Sequence, residues 1–192
     1  MKTMRVQPVS LEDDAVRLEP LAPGHAGDLL DVLDTETFEY MRSGPASIDR
    51  PAVDAYVAAL IAKPGNLAFA VIDRASGRAM GSTSYRDISP ENFGLEIGST
   101  WIAPYARGTG INTRMKRLLI THAFDDLGAI RVELRTDVLN ARSRRAIEKL
   151  GALEEGVLRA HIIMPTGRLR DTVVYAITAN RWEQVRRANA WA

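Results

Sequence analysis

Apolar positions change their period along the chain, and the changes separate strands from helices. Between Ala15 and Leu21, Val16 and Leu18 alternate with Arg17 and Glu19, the period of a strand with one buried face, and Pro23-Gly24 closes the segment. From His25 to Leu33 the apolar Leu29, Leu30, Val32 and Leu33 fall at helical spacings, with Asp28 near the positive end of the helix dipole. Thr35 to Pro51 follows neither period: Phe38, Tyr40 and Met41 are set among Glu36, Glu39, Arg42 and Gly44-Pro45, which reads as a loop with helical turns. A second helix is expected from near Pro51, carrying Val53, Tyr56, Val57, Leu60 and Ile61 to a stop at Pro64-Gly65. Both helices would flank one mouth.

Three strands are predicted next, Leu67 to Arg74, Ala79 to Ile88 and Gly94 to Ile102, parted by turn residues at Ser76-Gly77 and Ser89 to Asn92, which makes an antiparallel meander. A helix after Gly110 runs to about Asp126 with Ile111, Met115, Leu118, Leu119 and Ala123 on one face, and Gly128 ends it. A strand from Ile130 to Thr136, a helix from Ala141 to Leu150, and a hairpin of Glu155 to Met164 with Leu169 to Ile177 about Pro165-Thr166-Gly167 follow. A basic helix, Arg181 to Arg187, closes the chain. The expected class is mixed α/β (α+β), one domain over 1–192 with a core of about 15–178 and a C-terminal helical segment over 179–192.

Composition narrows the function. A hydrophobic share of 46% and a charged share of 26% over 192 residues suit one globular core. The formal net charge of +1 supplies no global field for nucleic acid or an anionic membrane. With no cysteine, a disulfide framework, a thiolate metal site and a cysteine nucleophile are all excluded. His25, His122 and His161 are too scattered for a metal site. Met1 to Val9 lacks the apolar core of a signal peptide and no stretch approaches the roughly 20 apolar residues of a membrane span, so a cytoplasmic protein is expected.

Candidate chemistry concentrates between Trp101 and Asn112. A strand end, the turn Arg107-Gly108-Thr109-Gly110 and a helix start at Ile111-Asn112 suit an anion, because a helix N-terminus leaves amides unpaired and glycines let a phosphate approach them. Glycines between a strand and a helix are also ordinary turn chemistry. The combination decides: Glu96-Ile97-Gly98-Ser99-Thr100-Trp101, Arg107 to Asn112, Asn140-Ala141-Arg142-Ser143 and Leu150-Gly151-Ala152, in this order, resemble the GNAT superfamily, most closely its RimJ/RimL-like N-acetyltransferases, over nearly the whole chain. The resemblance implies a bent mixed sheet splayed beside the fourth strand, the one ending at Ile102. It places acetyl-CoA as co-substrate in the wedge, with its pyrophosphate over Arg107, Gly108, Thr109, Gly110, Ile111 and Asn112.

Two positions depart from the family pattern. Tyr105 stands where many relatives carry Gln or Arg, three residues before the first glycine, and Ile147 stands where many carry the tyrosine that protonates departing CoA. Ser143 is the substitute that the RimL-like branch suggests. Acetyl transfer to an amine otherwise needs a base, an oxyanion donor and a proton for the thiolate, and no metal. Glu96, on the strand leading into the turn, is the base candidate, or else a carboxylate that faces solvent or pairs with an arginine. A backbone amide at Ile102 or Ala103 is the oxyanion candidate. Asn140 is an N-cap that the resemblance also brings to the pantetheine amide, and Trp101 is core or lines the acceptor channel. Arg142, Arg144, Arg145 and Lys116 are candidates for the 3′-phosphate or a solvated face.

The resemblance frames the acceptor with Phe38, Tyr40, Met41, Tyr85 and Arg86, while Glu36 and Glu39 would favour a cationic amine. The function this implies is acetyl transfer to a protein N-terminus or a small amine. A larger acyl donor such as succinyl-CoA and a non-catalytic acyl-CoA-binding module are the alternatives. Exposed apolar residues are compatible with a homodimer, and neither nucleic acid nor a membrane is expected as a partner.

Overall fold

The computed structural model describes residues 3–34 and 36–191; Met1, Lys2, Thr35 and Ala192, where the expected first loop and both ends of the chain begin or finish, lie outside it. Strands β1 (Leu11–Glu12), β2 (Val16–Pro20), β3 (Leu67–Asp73), β4 (Ala79–Ser89), β5 (Gly94–Ile102), β6 (Arg131–Asp137), β7 (Leu153–Ile163) and β8 (Leu169–Thr178) form one 8-stranded sheet in the order β1-β2-β3-β4-β5-β6-β8-β7. Helices α1 (Ala26–Val32), α2 (Arg50–Ala62), α3 (Ile111–Thr121), α4 (Ala141–Lys149) and α5 (Ala179–Ala188) pack around it. The expected elements are present within a few residues. The addition is β1, too short to show alternation, so the strand counted fourth in the sequence is β5.

Local chemistry explains the boundaries. Asp49 caps α2 by accepting from the amide of Ala52, with Pro51 in the first turn where its missing N–H costs nothing. Asn140 does the same for α4 through Ser143. α3 continues into a π-helical turn, His122–Asp126, and Gly128, at φ 68°, takes the left-handed conformation that ends it.

Every neighbouring pair in the sheet is antiparallel except β5 and β6. Their parallel register runs only from Gly94↔Arg131 to Glu96↔Glu133, although β5 continues to Ile102 and β6 to Asp137. The two strands therefore separate into a wedge that opens at their C-terminal ends. β8 returns beside β6 and leaves β7 at the edge. Two apolar cores lie on opposite faces. Leu29, Val53, Tyr56 and Val57 of α1 and α2 pack on Ala68, Ala70, Ile72 and Trp101, and Met115, Leu119 and Ile120 of α3 pack on Phe69, Val71, Tyr85, Ile97 and Leu134 with Trp182 of α5.

The bend at the wedge has a backbone cause. In β5, Ser99 sits at φ 49° and the pairing with β4 slips from Ser84↔Gly98 to Ser82↔Trp101, a β-bulge that sets Ser99 and Thr100 against Thr83 alone. Close approach continues at Gly81, where a Cβ would collide with the carbonyl of Trp101 and lie 2.9 Å from the Cα of Ile102. Backbone cannot swing aside as a side chain does. Gly81→Ala is therefore expected to destabilise the protein by about 1–3 kcal/mol, read as a lower urea midpoint with an unchanged slope.

Candidate active site

The turn after β5 has the features with which a main chain can hold an anion. Gly108 and Gly110 adopt φ of 79° and 93°, and nothing lies within 4 Å of a Cβ at either, so the space above them is open. The amides of Gly108 to Thr113 have no acceptor among the described residues, and α3 begins within that run with its positive dipole end. Thr109 turns its hydroxyl back to the carbonyl of Ala106 at 2.7 Å, stiffening the turn. The side chain of Arg107 goes elsewhere: it donates to Thr37 Oγ1 at 2.9 Å and pairs with Asp34 at 3.4 Å. Its guanidinium thus ties the turn to the loop after α1, and the cradle is made of main chain.

Because β5 and β6 are parallel, the segment after β6 ends on the other rim of the same wedge. There Asn140 Oδ1 accepts from the amide of Ser143 at 2.9 Å, which is the cap reading, while Ser143 Oγ has no hydrogen bond among the described residues. Of the two amides considered for an oxyanion, that of Ala103 is spent on the carbonyl of Met80 at 2.7 Å. Alternation along an antiparallel ladder then turns the N–H of Ile102 to the opposite edge, towards the wedge, where no strand pairs with it.

One face of the wedge is strongly charged. Glu96 is 4% exposed, with Arg86 Nη1 3.3 Å from Oε1 and Arg135 Nε 3.7 Å from Oε2. Burial pushes its carboxyl above the usual carboxylate range, against the pull of both arginines. Gly98 makes the space: a Cβ there would strike Glu96 Oε1 and lie 3.2 Å from the Arg86 side chain. Above this face Phe38 packs with ring centroids 5.5 Å from Tyr56 and 5.7 Å from Trp101, and Met41 joins the same cluster. Tyr40 contributes its carbonyl, which accepts from Arg170 at 3.2 Å.

Tyr85 does not belong to this group. It is fully buried on the other face, its hydroxyl donating to the carbonyl of Leu119 at 2.6 Å and lying 3.0 Å from His122 Nδ1. Its neighbours Ser84 and Arg86 point to the Glu96 face instead, as alternation requires. Arg144 is held by Tyr175 at 3.1 Å and Glu154 at 3.4 Å, while Arg142 and Arg145 are exposed. Lys116 is neither a phosphate ligand nor a surface charge. It is 6% exposed, inside the α3 core, with Nζ donating to Thr100 Oγ1 at 2.7 Å, and Thr100 Oγ1 is 2.8 Å from Thr83 Oγ1. Burial lowers its pKa to about 7, against the raising effect of Glu96. Sequence reasoning also missed Arg170 and Thr172, both buried on β8. Their alternation with Leu169, Asp171 and Val173 was readable, but not which face would be covered.

Comparison with known proteins agrees with this geometry. The family model for the acetyltransferase (GNAT) domain matches residues 15–153. A Bacillus subtilis (strain 168) protein named "Putative ribosomal N-acetyltransferase YdaF" is 37% identical over 107 residues, which is 56% of this chain and 57% of that protein, so the match spans little more than half of the curated relative. Among solved structures, a GCN5-related N-acetyltransferase from Brucella melitensis superimposes with a TM-score of 0.91 at 29% identity, covering 99% of this chain and 88% of that one. A protein from T. thermophilus described as a "putative acetyltransferase" gives 0.90 at 36%, covering 97% and 98%.

Lys116 links the site to stability. Below pH 7 its amine is protonated in both folded and unfolded chains, and the folded state bears the full penalty of a buried cation. Between about 7 and the ordinary value of 10.5 the unfolded chain holds the proton and the folded one does not, so stability rises with pH at up to about 1.4 kcal/mol per unit. Urea midpoints measured from pH 6.5 to 9.5 should climb in the wild type, and Lys116→Met should remove most of that climb. Parallel profiles for the two proteins would contradict the assignment.

Proposed function

The chain belongs to the GNAT acetyltransferase family, and on that footing we propose that it transfers an acetyl group from acetyl-CoA directly to a primary amine, after the manner of the RimJ/RimL-like branch. The acceptor is a protein N-terminus or a small amine, and the setting is cytoplasmic. Among the described residues no helix is long and apolar enough to cross a membrane. The observation that carries the reading is a juxtaposition: the unclaimed amides of Gly108 to Thr113 and the buried carboxylate of Glu96 border one wedge between diverging strands.

In the proposed step the main chain of Arg107 to Asn112 holds the pyrophosphate and Asn140 the pantetheine arm. Glu96, directly or through water, takes a proton from the amine, whose nitrogen bonds the thioester carbon. The Ile102 amide donates to the oxyanion that forms. The C–S bond then breaks, and the thiolate takes a proton relayed from water through Ser143 Oγ, while Glu96 returns its proton to solvent. Phe38, Met41 and Trp101 border the acceptor, with the Tyr40 backbone closing the far side. An α-amine, with a pKa near 8, is about a tenth neutral at pH 7, whereas a lysine amine near 10.4 is well under 1% neutral, so a single buried carboxylate suits the former. The exposed Leu158 and Ile163 of the edge strand are the surface on which a homodimer would form.

Thiol release from acetyl-CoA, followed against N-terminal peptides, lysine peptides and small amines, tests the reading. Glu96→Gln should slow transfer by about a hundredfold or more and Ser143→Ala by about tenfold, with acetyl-CoA binding retained in both. Since Glu96 works ionised, the rate should rise with pH through a value above the ordinary carboxylate range. That limb should persist in Lys116→Met and vanish in Glu96→Gln. Acetyl-CoA bound without thiol release on any amine would refute catalysis; failure to bind it would refute the account of the turn.

A further inference from the structure

Several buried polar atoms around the wedge have no hydrogen-bond partner among the described residues: Ser84 Oγ, Arg86 Nε, Glu96 Oε2, Arg170 Nε and Thr172 Oγ1. Register puts them on one face. Arg86 opposes Glu96, and Ser84 opposes Gly98, on the β4–β5 wall; Thr172 opposes Asp137 on the β6–β8 wall, with Arg170 two residues along the same strand. Buried polar groups in folded proteins are nearly always paired, so a cluster of orphans facing one opening marks a place where something polar binds.

Arg170 is the most exposed to this argument. The residue is 8% accessible, and its Nη1 donates to the neutral carbonyl of Tyr40. Its one ion-pair partner among the described residues is Asp137 Oδ2, 3.9 Å from Nε, and that oxygen is already held in a closer pair by Arg168. Arg86 is partly exposed, at 25% for its side chain, but its Nε is buried and idle among the described residues, and its Nη1 makes a long contact to Glu96. A buried guanidinium normally has a carboxylate or phosphate of its own, because the cost of removing it from water is recovered only by close, oriented contacts.

We propose that Arg170, with Arg86 and the Thr172 hydroxyl, forms a subsite for a carboxylate carried by one of the two reactants. The inference rests on the acyltransferase reading and adds a recognition element to it. A carboxylate at the wedge accepts from the planar guanidinium fork and from the hydroxyl, filling the donors that the fold leaves idle. Two sources have the same chemistry: an amine acceptor with a neighbouring carboxylate, as in an α-amino acid, or a dicarboxylic acyl group such as the succinyl of succinyl-CoA.

The experiment has an arm for each. Transfer from acetyl-CoA is compared between α-amino acids and their amides, and transfer to one amine is compared between succinyl-CoA and butyryl-CoA. A preference for the carboxylate of about ten- to a hundredfold in kcat/KM is expected in one arm, and that arm names the source. Arg170→Gln should reduce the preference about tenfold or more, and Arg170→Lys should keep part of it. Because the readout is a ratio within one protein sample, loss of folded material in a variant cancels. Absence of a preference in both arms, with amine acetylation intact, would overturn the subsite and leave the proposed function standing. A preference unchanged in Arg170→Gln would overturn it too, and transfer to no amine at all would overturn both.

Discussion

The wedge depends on a single parallel strand pair in a sheet that is otherwise antiparallel. A parallel connection needs a crossover, and here the crossover includes α3, whose first turn must lie at the C-terminal end of β5. The same geometry puts the segment after β6 at that end. Once pairing stops at Glu96↔Glu133, the edges of both strands face each other across a gap with unpaired backbone groups. A helix dipole, free amides and open strand edges thus converge without any side chain being specialised for it. The glycines of the turn add only access.

The bulge at Ser99 distributes side chains about this gap. It sends Trp101 to the α1–α2 core and Thr100 to the α3 core, so the hydroxyl that meets Lys116 and the carboxylate of Glu96 stand on opposite faces of the same strand. Each face then holds a buried charge of its own. Lys116 has only hydroxyl company among the described residues, and Glu96 shares Arg135 with Glu133 and Asp87. Such groups detract from stability, and a sequence selected for stability alone would place apolar residues there. Glu96 lies beside the opening, whereas Lys116 lies in the α3 core.

The sequence told much about elements and less about faces. Strands β3, β5 and β6, the capped helices and the glycine turn all follow local rules, and local rules survive folding. Tyr85 shows where they stop. β4 is buried from Ala79 through Tyr85, so hydrophobic alternation carries no label for inside and outside, and only the register with β5 separates Tyr85 from Arg86. The side chains of Arg107 and Lys116 were hard to place for a different reason. Their spacing is compatible with a phosphate, but their partners, Thr37 and Thr100, are distant in sequence or on another element. Arg170 was invisible because β8 inserts beside β6, and which strand of a hairpin does so is a tertiary choice.

The replacement of the family tyrosine by Ile147 is less costly than it first looks. Ile147 is 6% exposed and belongs to the α3 core, so a tyrosine there would have to bring a hydroxyl through apolar packing. A departing thiolate is a weak base: with a thiol pKa of about 8.5 it is far closer to solution pH than the alkoxide or amide leaving groups that need a strong acid. The difficult proton in amine acylation is the one on the attacking nitrogen. In the proposed step, burial of Glu96 raises its basicity while the adjacent arginines keep the anion accessible, which would direct the protein's electrostatic effort to that proton. On that proposal a hydroxyl such as that of Ser143, or water reaching the open end of the wedge, would suffice for the sulfur.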